Sequence, residues 1–315
     1  MCGVYLKRSE KLKPNNKHRN KHTKKIRKNK MKKILNLIAL LGLVGLGQAN
    51  AATLAAGDIA IVAFQASGVG TDSFSFATLK DVDAGTVIYF TDNGYSASGT
   101  VGFRGVTATD NDGNENLNKF TVGSSGLLAG KIVSSKSTAY TTAATGMWTL
   151  TGLVNSTTPA PVPAQSGSFV SLAFSASGEQ FTAFTSTNQN QPLLSGFTAL
   201  YGFDNTNAYE ASTSSSTGEL APGLVQGTTA VLLNGAAAGQ NYANFNFGAF
   251  TGSADQATWL TRIGTASNWT LGSATTDAAD GTFSVVPEPS AQALLGLGMV
   301  ALVAVRALRR GRGDS

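Results

Sequence analysis

Cysteine and histidine are almost absent from this sequence of 315 residues. The single cysteine is Cys2 and the two histidines are His18 and His22, so the chain after residue 22 has neither residue type. Disulfide frameworks, thiolate zinc sites, Cys-His pairs and Ser-His-Asp triads all need a thiol or an imidazole. The sequence therefore predicts none of these chemistries for the main part of the protein. Paired carboxylates stay open as a catalytic arrangement, since they work without histidine.

Basic residues are scarce in the middle of the chain. Of 24 lysines and arginines, fourteen lie between Lys7 and Lys33 and four between Arg306 and Arg312. Between Asp58 and Asp280, six basic residues face fifteen acidic ones, which gives a net charge of about −9. Such a segment offers no basic surface to phosphate groups, so we expect no nucleic-acid binding there. Glycine-rich nucleotide-binding motifs in a strand-to-helix context are absent as well.

An export signal is predicted near the N-terminus. The segment MKKILNLIALLGLVGLGQANA, residues 31–51, has two lysines, an apolar stretch and small residues at its end. Ala49 and Ala51 flank Asn50, which predicts cleavage before Ala52 by signal peptidase. The apolar stretch has about 14 residues, whereas roughly 20 are needed to span a membrane. We therefore expect a signal helix and no lasting anchor.

Residues 1–30 form a basic segment that precedes this signal. Because Met31 begins a complete signal by itself, we expect the basic segment to lie upstream of the true start. The alternative is a basic arm that binds nucleic acid or anionic lipid.

Residues 52–286 predict one all-β domain, a β-sandwich of short antiparallel strands. In DSFSFAT, Phe74 and Phe76 share one face and Ser73 and Ser75 share the other, whereas DIAIVAF is apolar on both faces. Such runs recur at roughly the 8 to 12 residue spacing of a sandwich or barrel. The other predicted strands are TVIYF, NKFTV, GKIVSS, GSFVSLAF, EQFTAF, FTALYGF, TAVLL and NFNFG.

One short helix is predicted near the end of this domain, in GSADQATWLTRIG. Ser253 is placed to cap its N-terminus, and Leu260 and Ile263 follow at helical spacing. Gly264 is placed to end the helix, and we expect Trp259 to pack it onto the sheet.

The C-terminal segment, residues 287–315, combines three features in a fixed order. The sequence VPEPS is followed by an apolar run from residue 291 to 305 and then by arginines. The residues concerned are Val286, Pro287, Glu288, Pro289 and Ser290, and then Arg306, Arg309, Arg310 and Arg312. This arrangement resembles the PEP-CTERM sorting signal of Gram-negative bacteria that produce exopolysaccharide. The GRGDS ending lengthens the usual tail slightly.

The resemblance implies sorting by an exosortase. That enzyme would recognise the Pro-Glu-Pro stretch, cleave near it and send the protein to the cell surface or the extracellular matrix. As a helix, residues 291–305 reach roughly 22 Å, against a hydrocarbon core near 30 Å. Extension to residue 308 includes Arg306, whose charge must reach the membrane surface, so a helix over residues 291–308 makes a short, transient inner-membrane anchor. The arginines that follow favour a cytoplasmic end.

A second resemblance covers residues 57 to about 277. The stretches AAGDIAIVAF, SGEQFTAF, LAPGLVQGTTAVLL and TRIGTASNWT are similar, in order, to a β-rich domain of secreted bacterial surface proteins. That domain has no established activity. The resemblance therefore implies fold and location and assigns no catalytic residue.

Two acidic segments are candidate sites. In DNDGNEN the oxygen ligands Asp110, Asp112, Asn114 and Glu115 suit a hard cation such as Ca²⁺, although the glycine is misplaced for an EF-hand loop, and a plain acidic turn is the favoured interpretation. In KDVDAG, Asp81 and Asp83 are interpreted as turn-capping residues, with a ligand pair or an acid-base pair as the alternative.

Aromatic residues have two interpretations as well. Trp148, Trp259, Trp269, Tyr95, Tyr201 and Tyr209 are expected in the core, with a sugar-stacking platform as the alternative.

The leading functional hypothesis is a secreted, non-catalytic protein of the cell surface or biofilm matrix, with a structural or adhesive role and with extracellular polysaccharide as a partner. No catalytic residue and no cofactor is assigned. One alternative is a carbohydrate-active enzyme that uses two carboxylates from Asp81, Asp83, Asp110, Asp112 and Glu115. The other is an adhesin module stabilised by Ca²⁺.

Overall fold

A computed structural model of the chain describes residues 53–66, 72–97, 102–103, 117–151, 172, 174–175, 178–189, 192–193, 195–209, 217–234, 240–272, 280–286, 298–299 and 302. All of its described strands and its helix belong to one unit, Ala51–Glu288. No helix among the described residues has the length and apolar character needed to cross a membrane.

Several predicted features lie outside the described residues. They are the signal segment with Ala49, Ala51 and Ala52, the acidic segment with Asp110, Asp112, Asn114 and Glu115, the sorting residues Pro287, Glu288, Pro289 and Ser290, and the arginines Arg306, Arg309, Arg310 and Arg312. Val286 is described and is exposed. Most of the predicted strand GSFVSLAF also lies outside.

The described chain is built mostly of strands, with one α-helix and two single 3-10 turns. The strands are β1 (Ile59–Gln65), β2 (Ser73–Thr78), β3 (Val87–Thr91), β4 (Tyr95–Ser96), β5 (Gly102–Phe103), β6 (Leu117–Val122), β7 (Lys131–Ser134), β8 (Thr141–Thr142), β9 (Gly146–Thr151), β10 (Gln180–Ser186), β11 (Phe197–Asp204), β12 (Ala230–Leu232), β13 (Tyr242–Phe245), β14 (Trp269–Gly272) and β15 (Gly281–Thr282). The helix α1 is Gln256–Gly264, and the 3-10 turns are Phe247–Ala249 and Ala266–Asn268. This confirms the all-β class with one short helix near the end of the domain.

The strands form two large sheets and one small ribbon. The six-stranded sheet has the order β14-β13-β1-β2-β7-β15, the seven-stranded sheet has the order β12-β11-β10-β3-β6-β9-β8, and β4 pairs with β5. Every pair of these strands is antiparallel except β11 and β12, which are parallel. The prediction of antiparallel strands is wrong for that pair. A parallel pair needs a crossover of a dozen or more residues, and residues 205–229 supply it.

Aromatic side chains of the two large sheets meet in the main core. Phe74 of β2 lies 4.8 Å from Phe90 of β3, and Phe64 of β1 lies 5.0 Å from Phe203 of β11, measured between ring centroids. All four rings are fully buried. One face of each sheet is therefore apolar, as the alternation of phenylalanine and serine in β2 predicts.

The N-terminus of helix α1 is set by its capping residue. Asp255, in an extended conformation, accepts a hydrogen bond from the Thr258 amide at 2.7 Å. The cap predicted at Ser253 is therefore wrong, because that side chain lies two residues too early to reach the amides of the first turn. Gly264 ends the helix as predicted, and Trp259 is buried with its indole Nε1 donating to the Ser284 carbonyl at 2.9 Å.

Candidate functional site

A cleft of about 450 Å³ opens on the face of the six-stranded sheet that points away from the main core. This size falls in the usual range for ligand sites. The described residues that line it are Val62, Ala63, Ser75, Ile132, Tyr242, Asn244, Phe245, Asn246, Phe247, Gly248 and Thr270.

Strand alternation places the polar residues on this face. Phe74 and Phe76 of β2 point into the core, where Phe76 lies 5.4 Å from Phe120 of the other sheet. Successive side chains of a strand point to opposite faces, so Ser75 points away from the core and into the cleft.

Strand register aligns the floor of the cleft. Thr270 of β14 is paired with Asn244 of β13, Asn244 with Ala63 of β1, and Ala63 with Ser75 of β2. Directly paired residues share a face of the sheet, so these four side chains form one row across four strands. Ala63 is the smallest of them and leaves space between Asn244 and Ser75.

A β-bulge in β1 makes this row possible. Ile61 is paired with Phe76 and Ala63 is paired with the next residue of β2, Ser75, so Val62 is an extra residue in β1. A bulge of this kind redirects the side chains that follow it. Ile61 of β1 faces the core opposite Phe76, and Ala63 follows it by two positions. Because of the bulge, Ala63 lies opposite the outward-facing Ser75.

Ser75 is the most unusual residue of the cleft. Its side chain is 1% exposed, and its Oγ has no hydrogen-bond partner among the described residues. A buried hydroxyl left without a partner costs about 1–3 kcal/mol, so such a group calls for an explanation.

A second polar row runs beside the first. Gln65 of β1 is paired with Ser73 of β2 on one side and with Tyr242 of β13 on the other. Ser73 Oγ donates to Gln65 Oε1 at 3.4 Å. Tyr242 is half-buried and also lines the cleft, so the two rows together give this face its polar character.

One end of the cleft is apolar. Phe247 is half-buried, lines the cleft and packs against Phe283 and Phe245, with 4.8 Å between ring centroids in both pairs. Ile132 of β7 is half-buried beside it. Aspartate, glutamate, lysine and arginine are absent among the described lining residues.

The predicted pair Asp81 and Asp83 does not line the cleft. Asp81 Oδ1 accepts from the Ala129 amide at 2.8 Å, and the intervening Val82 forms an isolated bridge with Leu127. The Asp83 carbonyl accepts from the Thr86 amide in a turn. The side chain of Asp81 therefore binds a loop amide, as the turn-capping interpretation expects, whereas the hydrogen bond of Asp83 is made by its backbone carbonyl.

Other described carboxylates also hold backbone amides. Asp72 accepts from the Phe174 amide at 2.9 Å, Glu179 from the Ser175 amide at 2.8 Å and Asp280 from the Ser134 amide at 2.9 Å. Asp58 accepts from the Ala55 amide at 2.9 Å and lies 3.4 Å from Lys80 Nζ. Within the described ranges, no group of three or more histidine, cysteine or acidic residues is arranged to hold a metal ion.

The aromatic residues follow the core interpretation. Trp148, Trp259, Trp269, Tyr95 and Tyr201 are all buried. Burial raises the pKa of Tyr201, and burial followed by the charges of Asp204 and Tyr201 raises the pKa of Tyr209. These rings form no exposed platform, and the aromatic residues that line the cleft are Tyr242, Phe245 and Phe247.

Sequence reasoning missed this cleft. Its polar residues come from strands far apart in the chain. The alternation in DSFSFAT and NFNFG, which sets Ser75 and Asn244 apart from the phenylalanines, indicates polar faces but not that these faces lie side by side. Comparisons with protein-family models, curated proteins and solved structures find no match to this chain.

Proposed function

We propose that this chain is an exported, non-catalytic protein of the cell surface or exopolysaccharide matrix, with a structural or adhesive role. The observation that carries the proposal is the chemistry of the cleft. Its described lining offers amide, hydroxyl and aromatic groups, which bind ligands, and no carboxylate or imidazole to transfer a proton in acid-base catalysis.

The same proposal includes a finer fold, a β-sandwich. The aromatic contacts between the six-stranded and seven-stranded sheets support it, because two sheets that share one apolar core pack face to face. A sandwich leaves the outer faces of both sheets available, and the cleft lies on one of them.

Delivery is proposed from the sequence. Signal peptidase would cleave before Ala52, and the helix over residues 291–308 would hold the protein in the inner membrane with Arg306, Arg309, Arg310 and Arg312 on the cytoplasmic side. An exosortase would then cleave near Pro287, Glu288 and Pro289 and pass the protein to the surface or matrix.

Intact mass tests this delivery in the bacterium that produces the protein. We expect protein from the envelope and the culture medium to lack residues 1–51 and the C-terminal helix. Loss of the exosortase, or the variant Glu288→Ala, is expected to retain the C-terminal segment and keep the protein in the inner membrane. The control Asp314→Ala alters the tail after the arginines and should be processed normally. Cytoplasmic protein with both ends intact would contradict the proposal.

A further inference from the structure

We propose that the cleft of the six-stranded sheet binds an uncharged stretch of a polysaccharide chain. The inference deepens the proposed function, since it names the ligand class of the same cleft and rests on the exported location for access to that ligand. It is argued from four observations on the lining residues: their hydrogen-bonding groups, the buried hydroxyl of Ser75, the aromatic end of the cleft and the absence of charge.

The hydrogen-bonding groups suit hydroxyls. Asn244 and Asn246 each carry a side-chain amide that both donates and accepts, and Thr270 adds a hydroxyl that does the same. Asn244 is half-buried, whereas Asn246 and Thr270 are exposed at the rim. A sugar hydroxyl is also both donor and acceptor. An array of amides and hydroxyls can therefore bind several sugar hydroxyls, and it does not require a charged ligand.

Ser75 supplies an unmet hydrogen bond at the floor. Its Oγ is buried and unpartnered among the described residues, and it lies in the same cross-strand row as Asn244 and Thr270. Binding that widens the space over Ala63 would let a ligand hydroxyl bond this buried Oγ.

Aromatic rings supply the apolar part of the site. Phe247 and Tyr242 are half-buried and line the cleft. Ligand sites usually combine such rings with a few placed polar groups, and a sugar ring likewise presents apolar C–H groups beside its hydroxyls. The tyrosine ring offers both an apolar face and a hydroxyl.

Because the described lining of the cleft is uncharged, we expect the cleft to prefer uncharged polysaccharides. A uronic acid or sulfated sugar would bring an anion into a cleft whose described lining has no lysine or arginine. Burying a charge without a partner is costly, so an acidic chain should bind more weakly than an uncharged chain of equal length.

Calorimetric titration of the full chain, in a detergent without a sugar headgroup, tests the proposal. The probes are cellohexaose, laminarihexaose and mannohexaose, with hexagalacturonic acid as the acidic counterpart. We expect at least one uncharged probe to bind and Thr270→Ala to weaken its binding roughly three- to tenfold, the effect of one lost neutral hydrogen bond. Thr198→Ala is the matched control, because Thr198 is also an exposed strand threonine but lies in β11 of the other sheet, and it should leave the affinity unchanged.

The variant Ser75→Ala separates a ligand-binding hydroxyl from a structural one. Removing an unpartnered buried hydroxyl should leave the midpoint of urea unfolding unchanged or raise it, while it weakens the binding of the uncharged probe by a similar factor. A lower midpoint would show that Ser75 supports the fold instead and would overturn its role as a ligand group.

Three results would overturn the proposal as a whole: no binding of any uncharged probe at millimolar concentration, equal or tighter binding of hexagalacturonic acid, or equal effects of Thr270→Ala and Thr198→Ala. Each of these leaves the delivery experiment untouched. If the protein is sorted but binds no sugar, the surface role stands and the cleft is rejected as a ligand site. If the protein binds sugar but is not sorted, the ligand site stands and the surface role is rejected.

Discussion

Two buried hydroxyls, Ser75 Oγ and Tyr201 Oη, lack hydrogen-bond partners among the described residues. Their surroundings differ. Ser75 lies at the floor of the cleft, next to the space a ligand would occupy, whereas Tyr201 is fully buried within the main core cluster. We therefore assign a binding role to the first and treat the second as a net energetic cost to the fold.

Tyr201 and its neighbour Tyr209 make a matched pair for testing this distinction. The Tyr209 hydroxyl donates to the Val231 carbonyl of β12 at 3.0 Å, while the Tyr201 hydroxyl donates to none of the described groups. We expect Tyr201→Phe to leave the free energy of unfolding unchanged or raise it by about 1 kcal/mol, and Tyr209→Phe to lower it by about 1 kcal/mol. Urea unfolding of the two variants measures both values, and the same sign for both would contradict the assignment.

Residue patterns predicted the direction of side chains better than their burial. The alternation in β2 predicts that Ser73 and Ser75 face away from the core, and they do. The same pattern treats that face as solvated, yet Ser73 is 0% and Ser75 is 1% exposed. Periodicity reports which residues share a face, whereas burial depends on what packs over that face.

Among the elements, helix α1 shows how one side chain sets a boundary. Asp255 is exposed, and its hydrogen bonds from Thr258, aided by the charge of Arg262, lower the pKa of its carboxyl below the ordinary 3.8. A lowered folded pKa means that the cap stabilises the fold above the unfolded pKa. That contribution is lost as the pH falls through the folded pKa.

The variant Asp255→Asn tests this pH dependence. Asparagine also caps helices, so the helix should persist, but its side chain does not titrate. We expect the difference in free energy of unfolding between wild type and Asp255→Asn to be largest near neutral pH and to shrink as the pH falls below the ordinary carboxyl range. Urea unfolding over a pH series measures it. Asp83→Asn, at another exposed aspartate, is the control, and a pH-independent difference for Asp255→Asn would argue against the cap.

Element positions were more predictable than strand pairing. The runs DIAIVAF, DSFSFAT and FTALYGF became β1, β2 and β11 because each is a short run of strand-forming residues with turn residues at its ends. Strands β4, β5, β8, β9, β14 and β15 were missed. All except β9 have only two to four residues, and β9 follows turn residues although Trp148 and Leu150 alternate with threonine. Register has no local signal at all, because it depends on which strands become neighbours. The row of Thr270, Asn244, Ala63 and Ser75 exists only after that choice, and sequence reasoning did not find it.

At the scale of the whole molecule, the same strand serves the core and the cleft. Phe74 of β2 contacts Phe90 and Trp148 of the seven-stranded sheet, with 4.8 and 5.5 Å between ring centroids, while the next residue, Ser75, lines the cleft on the opposite face. The cleft is therefore built on a strand held rigidly by the packing of the two sheets. A site on a packed strand keeps its geometry better than one on a loop.

This arrangement predicts opposite outcomes for two adjacent residues. Phe74→Ala removes a fully buried ring that contacts Phe90, Trp148 and Phe181 of the opposite sheet, and it should lower the free energy of unfolding by about 3–5 kcal/mol. Ser75→Ala, one residue later, should not lower it.

If one core unites both sheets, Phe74→Ala must also destabilise the two sheets together. Trp148 in β9 and Trp269 in β14 report on one sheet each. In proteins that keep only one of the three tryptophans, either Trp148 or Trp269, Phe74→Ala should shift the urea midpoint measured by fluorescence by the same amount. A midpoint that shifts for one reporter and not for the other would mean that the sheets unfold independently, and the common core inferred from the ring contacts would have to be abandoned.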